Sequence, residues 1–480
     1  MSASETAKKE SSSRREFLKT SALVAAGAAV AARLDVLPRA YAAGTDVIKA
    51  ALIGCGGRAN GAADDCLKAS ATSGVNVKFV AVADAFEGNA KGAAGNLKKK
   101  GPEKADIPPE RVFFGLDAYQ KAIDSGIDMV VTATPPGFRP QHFEAAVKAG
   151  KHVFMEKPVC ADAAGYRKVM TAAKMADEKK LKVGVGLQRH HESGYLGGIQ
   201  AIADGKYGDI SLVRAYWNGG GIWNRGRDKN MTEMMYQIHN WYHFCWLSGD
   251  HICEQHVHNL DIANWVMSAY LKKEGAEWAH PVEANGMGAE WTRGYGDFIR
   301  TMKGNFKGQI WDAHFVEFTY ENGTKLYSQC KHEPNTWGGV FECFHSTARP
   351  DGKNNLAGCG VSGAGPGPKL ANGNGYVQEH IDLQTAIKED KPYNEAYYGA
   401  TSSMTAVLGR LATYSGQSVK WDEAVELMPD TFPAVLTPDA EPPAKPDADG
   451  NYPIPVPGHY KAYDLPKGWK PVWKPAFFKK

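Results

Sequence analysis

A largely apolar run, Val47–Ile53, ends directly on Gly54-Cys55-Gly56-Gly57-Arg58-Ala59, and a segment with helical spacing opens right behind it. A strand that feeds a helix through so few residues needs glycine. Gly54 permits the tight turn, Gly56 leaves backbone amides uncovered, and Ala59 is small enough for close helix–strand contact. The uncovered amides sit at a helix N-terminus, where the backbone dipole favours an anion. A second apolar strand, Val77–Ala83, ends on Asp84, 30 residues after Gly54. A carboxylate there accepts hydrogen bonds from two ribose hydroxyls and repels a 2′-phosphate. Strand, turn, helix and acid together form a dinucleotide-binding fingerprint. They favour NAD, with Lys91 and Lys98–Lys100 leaving NADP open.

The alternation continues. Met129–Ala133, His152–Phe154 and Lys182–Gly186 read as strands, and Ala62–Ala71, Ala118–Ser125, Gln141–Ala149 and 162–178 as helices. This order predicts a parallel, doubly wound sheet that ends near residue 190. Beyond it, Ile210–Trp217, Asp312–Tyr320 and Lys325–Lys331 are longer and alternate in polarity, and Glu321-Asn322-Gly323-Thr324 is a hairpin signal. The fold expected is therefore α/β: an N-terminal Rossmann dinucleotide-binding domain (45–190), followed by an α+β domain with a large, mostly antiparallel sheet (191–435). Residues 349–375 read as an irregular loop, and 436–480, rich in Pro and Trp, as an extended tail over a surface.

The first 42 residues read as an address. Ser13-Arg14-Arg15-Glu16-Phe17-Leu18-Lys19 is a twin-arginine signature. The apolar stretch after it, Ser21 to Ala32, is far shorter than the roughly 20 residues of a membrane span. Ala40-Tyr41-Ala42 suits a signal peptidase. This segment carries seven basic and four acidic residues, which accounts for the whole formal charge of +3. The remainder is close to neutral, so no basic stripe supports nucleic-acid binding. Export by the twin-arginine machinery to the periplasm is expected, with no stable membrane anchor. A protein folded before export in a reducing compartment would keep its eight cysteines as free thiols. The periplasm holds little free dinucleotide, so a tightly held cofactor is expected.

Two further motifs carry chemistry. Glu156-Lys157-Pro158 follows the strand His152–Phe154, where Lys157 at the carboxyl edge of the sheet can stabilise a developing alkoxide; a solvated Lys157–Glu156 pair is the competing reading. The segment 249–261 holds His251, Glu254, His256, His258 and Asp261. On one helix Glu254 and His258 would share a face, which suits a carboxylate orienting a general base. A metal site drawn from His251, Glu254, His256 and His258, or buried structural histidines, are the alternatives; the favoured assignment is no metal.

With these residues the chain resembles the glucose–fructose oxidoreductase / inositol dehydrogenase (Gfo/Idh/MocA) family. The resemblance also draws on Ala133-Thr134-Pro135-Pro136 with His142, on Gly208-Asp209-Ile210 and on His258-Asn259-Leu260-Asp261. It implies an NAD(P)-dependent oxidoreductase acting on CH–OH groups of sugars or polyols, commonly a homo-oligomer. Gly54, Gly56, Gly57, Arg58, Asp84, Ala133, Pro135, His142, Glu156 and Lys157 would bind cofactor. Lys157 and His258 would be catalytic, with Glu254 as the orienting partner, a departure from the aspartate common there. His256 stands where glycine is common, which would crowd the pocket or add a polar contact. Arg189, Trp223, Asn224 and Trp241 are the expected substrate contacts. An NAD-dependent glycosidase working by transient sugar oxidation, a non-catalytic sugar-binding protein and a metal-dependent hydrolase are the other readings.

Overall fold

The computed structural model describes residues 47–290, 308–333, 336–352 and 358–468. The twin-arginine segment lies outside these residues. In chain order, the first part runs β1 (Val47–Ile53), α1 (Gly57–Ser73), β2 (Asn76–Asp84), α2 (Glu87–Lys98), β3 (Val112–Phe114), α3 (Ala118–Ile123), β4 (Met129–Thr132), α4 (Arg139–Lys148), β5 (His152–Met155), α5 (Ala163–Glu178) and β6 (Val183–Val185). All pairings are parallel, in the order β3-β2-β1-β4-β5-β6. Helices cover both faces, so β4, β5 and β6 are buried at every position, and apolar runs replace alternation. The order reverses between β1 and β4, and that switch point opens the crevice at the strands' carboxyl ends. Sequence reasoning missed β3, whose three residues are too short to show a period.

The second part runs α6 (Ser193–Ala203), β7 (Ile210–Gly219), α7 (Glu233–His239), α8 (Cys245–Ser248), α9 (His251–Glu254), α10 (Val257–Leu271), β8 (Pro281–Ala289), β9 (Ala313–Tyr320), β10 (Lys325–His332), β11 (Gly339–Ser346), β12 (Cys359–Gly360), α11 (Gly375–Glu389), α12 (Ala396–Ser415), β13 (Val419–Lys420) and α13 (Trp421–Leu427). Its sheet has the order β12-β11-β7-β10-β9-β8-β13. It is antiparallel except where β10 lies parallel to β7. The β9–β10 hairpin turns on Gly323 at φ 86°, with Thr324 N donating to Asn322 Oδ1 at 3.2 Å. On β9, His314, Val316, Phe318 and Tyr320 point into the core and Phe315 points out, as a sheet covered on one face requires.

The two sheets divide near residue 190, but the helices do not respect that boundary. Chain from Gly375 onward returns to the first sheet. Gln384 Nε2 on α11 donates to Cys66 O on α1 at 2.9 Å, and Val185 N on β6 donates to Glu395 Oε2 at 2.8 Å. Helix α12 is buried almost all round, which its small residues allow. A Cβ on Gly409 would lie 2.7 Å from Phe318 Cζ, so helix and sheet touch there. Residues 430–468 contain no helix or strand, and Ala444, Tyr452 and Ala462 within them are buried. All eight cysteines are free. Among the described residues no helix is long and apolar enough to cross a membrane.

Candidate active site

The glycine turn opens a cleft of about 730 Å³, part of it facing solvent. Gly54 has φ 80°, and a Cβ there would lie 2.8 Å from Thr134 N, so only glycine fits. Gly56 caps α1 with no side-chain acceptor, and a Cβ on Gly56 or Gly57 would meet nothing within 4 Å. The first amides of a long helix thus face open space, the arrangement a pyrophosphate needs. Asp84 braces the turn: its Oδ2 accepts from Cys55 N at 2.7 Å, and its Oδ1 accepts from Phe86 N at 2.8 Å and Asn89 Nδ2 at 3.1 Å. It also lines the cleft, together with Ala133, Pro135 and His142. His142 is part of the wall. Its Nδ1 lies 3.1 Å from Thr134 Oγ1 and its ring stacks on Tyr119 at 4.1 Å. Burial, helped by the Arg139 charge, pushes its pKa down to about 3, so it is neutral.

The opposite wall comes from far along the chain. Arg225, Ile238 and Trp241 line the same cleft. Trp241, expected among the substrate contacts, thus lines the same cleft as the glycine turn. Trp223 meets Trp241 edge-on at 5.8 Å, and the Arg225 guanidinium covers Trp223 at 4.2 Å. Arg225 Nη1 is fixed by donating to His239 O at 2.7 Å. The tail straps this roof down: Thr232 Oγ1 donates to Pro438 O, Gln237 Nε2 donates to Ala444 O, and Tyr452 packs edge-on to Phe244 at 4.8 Å. Asn224 sits in the same segment with its Oδ1 buried and unpaired. Ile238 went unnoticed in the sequence because nothing local ties it to a turn more than 170 residues earlier.

Lys157, Glu254 and His258 meet beyond the end of β5. Lys157 Nζ donates to Glu254 O at 2.7 Å and lies 3.4 Å from Glu254 Oε1. Glu254 is thus the partner of Lys157 and not of His258. The physical reason is a helix break: Glu254 ends α9, His258 is the second residue of α10, and the four-residue helical spacing does not run across Gln255–His256. His258 is 7% exposed, its Nδ1 is buried without a partner, and its ring stacks on Trp217 at 5.9 Å. Burial and the charges of Lys157, Arg189 and Arg58 hold its pKa well below the usual range, so it is a neutral imidazole. Asp261 serves elsewhere, accepting from His190 Nε2 at 2.7 Å. His256 is fully buried against Ser328 Oγ at 2.8 Å and does not crowd a pocket.

Glu156, 2% exposed, lies 2.9 Å from Arg58 Nε, so Arg58 turns toward the Glu-Lys-Pro motif and not out along the turn. Gly186 leaves room for that carboxylate, since a Cβ there would lie 2.5 Å from Glu156 Oε2. Of the four expected substrate residues, Arg189 stands on the His258 side. It pairs with Glu342, which also accepts from Tyr195 OH at 3.0 Å. Trp223, Asn224 and Trp241 belong to the wall that faces the glycine turn.

Residues 48–187 match the profile of the oxidoreductase family with NAD-binding Rossmann fold, Gfo/Idh/MocA. This stretch, the first-sheet part of the chain, is similar to the NAD-binding domain of the Gfo/Idh/MocA family. Curated relatives include the scyllo-inositol 2-dehydrogenase (NADP(+)) IolW of Bacillus subtilis, 28% identical over 179 residues, which cover 36% of this chain and 46% of that one. The inositol 2-dehydrogenase of Rhizobium meliloti is 34% identical over 146 residues, 30% of this chain and 39% of that one. The chain thus spans under half the length of these curated relatives. Among solved structures, levoglucosan dehydrogenase in complex with NADH and levoglucosan superposes with a TM-score of 0.57 at 14% identity, covering 78% of this chain and 99% of that one. A scyllo-inositol dehydrogenase from Lactobacillus casei with NAD(H) and scyllo-inositol gives 0.53 at 16% identity, with 78% and 99% coverage. At these identities the shared property is the two-sheet fold.

Proposed function

We propose that this protein is an exported oxidoreductase that moves a hydride between a sugar or polyol CH–OH carbon and a tightly held nicotinamide dinucleotide, NAD in preference to NADP. The observation that carries this is Lys157 beside a neutral His258 in a chain whose glycine turn is open for a pyrophosphate. The residues fit the cofactor: uncapped α1 amides for the diphosphate, Asp84 for the ribose diol, and Ala133, Pro135 and Glu156 toward the nicotinamide side. The chemistry a bound dinucleotide supplies here is acceptance or return of hydride. Lys157 holds the reacting oxygen through its ammonium and stabilises negative charge as it develops there. His258, uncharged at neutral pH, takes the hydroxyl proton. Glu254 positions Lys157 by accepting from it. Arg189 supports the substrate side, and the roof from Trp223 to Trp241, strapped by the tail, supports retention of the dinucleotide.

Export rests on the Ser13–Lys19 signature, and a periplasmic location follows from it. The outward face of the second sheet supports homo-oligomers: Met287, 73% exposed, pairs across strands with Phe315, 41% exposed. Sedimentation of the purified protein should then show a species larger than one chain. The deciding experiment screens sugars and inositols against the purified full chain at 340 nm, after release and identification of any bound nucleotide. Absence of nucleotide in the isolated protein would remove the tight-binding part. Release of aglycone from aryl glycosides with no net NADH would replace oxidoreduction with glycoside cleavage.

A further inference from the structure

Behind the reaction end, between α9 and β9, lies a polar cluster that hydride transfer does not use. Asp250, His251 and His314 are each at most 1% exposed, and one ligand atom from each lies within 4.8 Å of the others. Asp250 Oδ2 is 3.2 Å from His314 Nε2, and Asp250 Oδ1 is 3.8 Å from His251 Nε2. A tetrahedral zinc ion with N and O ligands at about 2.0–2.2 Å sets neighbouring ligand atoms roughly 3.4 Å apart, between these two distances.

Three observations point to a cation. First, Asp250 is wholly buried, and among the described residues neither Lys nor Arg lies within ion-pair distance of it. Trp311 N–H at 3.1 Å, Tyr414 O–H and His251 N–H donate to its oxygens, but hydrogen bonds leave its charge in place, and a buried charge is costly. Second, His251 Nε2 is buried with no hydrogen-bond partner, although it faces that carboxylate. Third, the tautomer of His314 leaves a lone pair in the same place. Thr413 Oγ1–H donates back along its helix to Gly409 O at 3.2 Å and Arg410 O at 3.0 Å. Its oxygen is then free to accept from His314 Nδ1–H, at 2.9 Å. His314 Nε2 then turns a lone pair toward Asp250 Oδ2, and two acceptors face each other at hydrogen-bond distance. A proton on Nε2 would relieve that contact and pair an imidazolium with Asp250, but it would leave His251 Nε2 unpaired. A cation among the three residues takes both imidazole lone pairs and neutralises the carboxylate at once. The backbone gives a supporting sign: Asp250 is a non-glycine residue at φ 71°, strain of the kind retained where a side chain must be held in one place.

We propose that Asp250, His251 and His314 form a binding site for one divalent transition-metal ion, of which zinc is the type, with two imidazole nitrogens and one carboxylate oxygen as protein ligands. Of the histidines singled out in the sequence, only His251 belongs to it. Its companions are a neighbour, Asp250, and a strand residue 63 positions later. The ion would pin α9, and with it Glu254, to β9 of the second sheet.

The test uses the full chain, dialysed against zinc chloride and then against metal-free buffer, with metal counted by plasma mass spectrometry. The expected result is about one zinc per wild-type chain and less than a tenth of that in His251→Gln and in His314→Gln. His459→Gln, at an exposed position, should match wild type. Should the two variants fail to fold, the zinc K-edge absorption of the wild type decides, with scattering from two imidazoles expected. Wild-type protein that emerges free of zinc, variants that keep a full equivalent, or a zinc environment lacking two imidazoles would each overturn the proposal.

Discussion

The two ends of the cleft are built in opposite ways. At the reaction end, Lys157 leaves a parallel strand that is buried at every position, and its partner Glu254 sits three residues before the His258 helix. At the glycine-turn end, the turn supplies one wall, and the other comes from Arg225, the end of the short helix α7 and Trp241, strapped by the tail. Chemistry demands positions fixed to fractions of an ångström, and rigid sheet edges provide them. Retention demands only coverage, and added chain can provide that. The difference predicts that changes at one end alter rate and changes at the other alter affinity.

The largest effect expected is on rate. Lys157→Met and His258→Gln should each lower kcat by about 10²–10⁴-fold, the usual worth of a positioned proton-transfer or charge-stabilising group. Bound dinucleotide, measured after extraction, should stay at wild-type level. Loss of nucleotide together with rate would break the division between the two ends. Next come Arg225→Ala and Trp241→Ala, each expected to weaken dinucleotide binding about five- to ten-fold, the worth of one stacking or cation–π contact. In these variants kcat at saturating cofactor should be unchanged.

A smaller effect sharpens the reaction end. His258 is held well below the usual histidine range by burial and by the charges of Lys157, Arg189 and Arg58, so its base form persists on the acid side of pH 6.5. The acid limb of kcat/KM should therefore fall below pH 6.5. Arg189→Gln removes one of those charges and should move that limb upward; a limb that stays in place would show that Arg189 acts only through substrate. The smallest effect is on stability. Burial opposes charge on His191, but Glu395 and Asp382 hold its pKa up at about 10. Since its folded pKa exceeds the unfolded value near 6.5, this pairing stabilises fully below pH 6.5 and is lost as pH rises through about 10. Wild-type Tm should decline between pH 7 and 9.5 more steeply than that of His191→Gln.

Legibility in the sequence followed the range of the forces. The glycine turn, Asp84 and the Glu-Lys-Pro segment announce themselves because a strand edge or tight turn dictates residue type within a few positions. The pairing of Glu254 did not, because a helix break two residues long cancels the spacing argument and hands the carboxylate to Lys157. Trp241 was singled out by residue type, but only packing shows that it lines the same cleft as the glycine turn, since composition gives no direction.

By itself the sequence determined the parallel sheet, the location of the dinucleotide turn and the identity of the lysine and histidine beside it. These rest on local backbone sterics and on the periodicity of burial. Tertiary structure alone decided that Arg225 and Trp241 roof that turn, that α11 and α12 return to the first sheet, and that His314 comes to face Asp250 and His251. These juxtapositions join residues tens to hundreds of positions apart, and packing against a common core, which no local pattern encodes, is what brings them together.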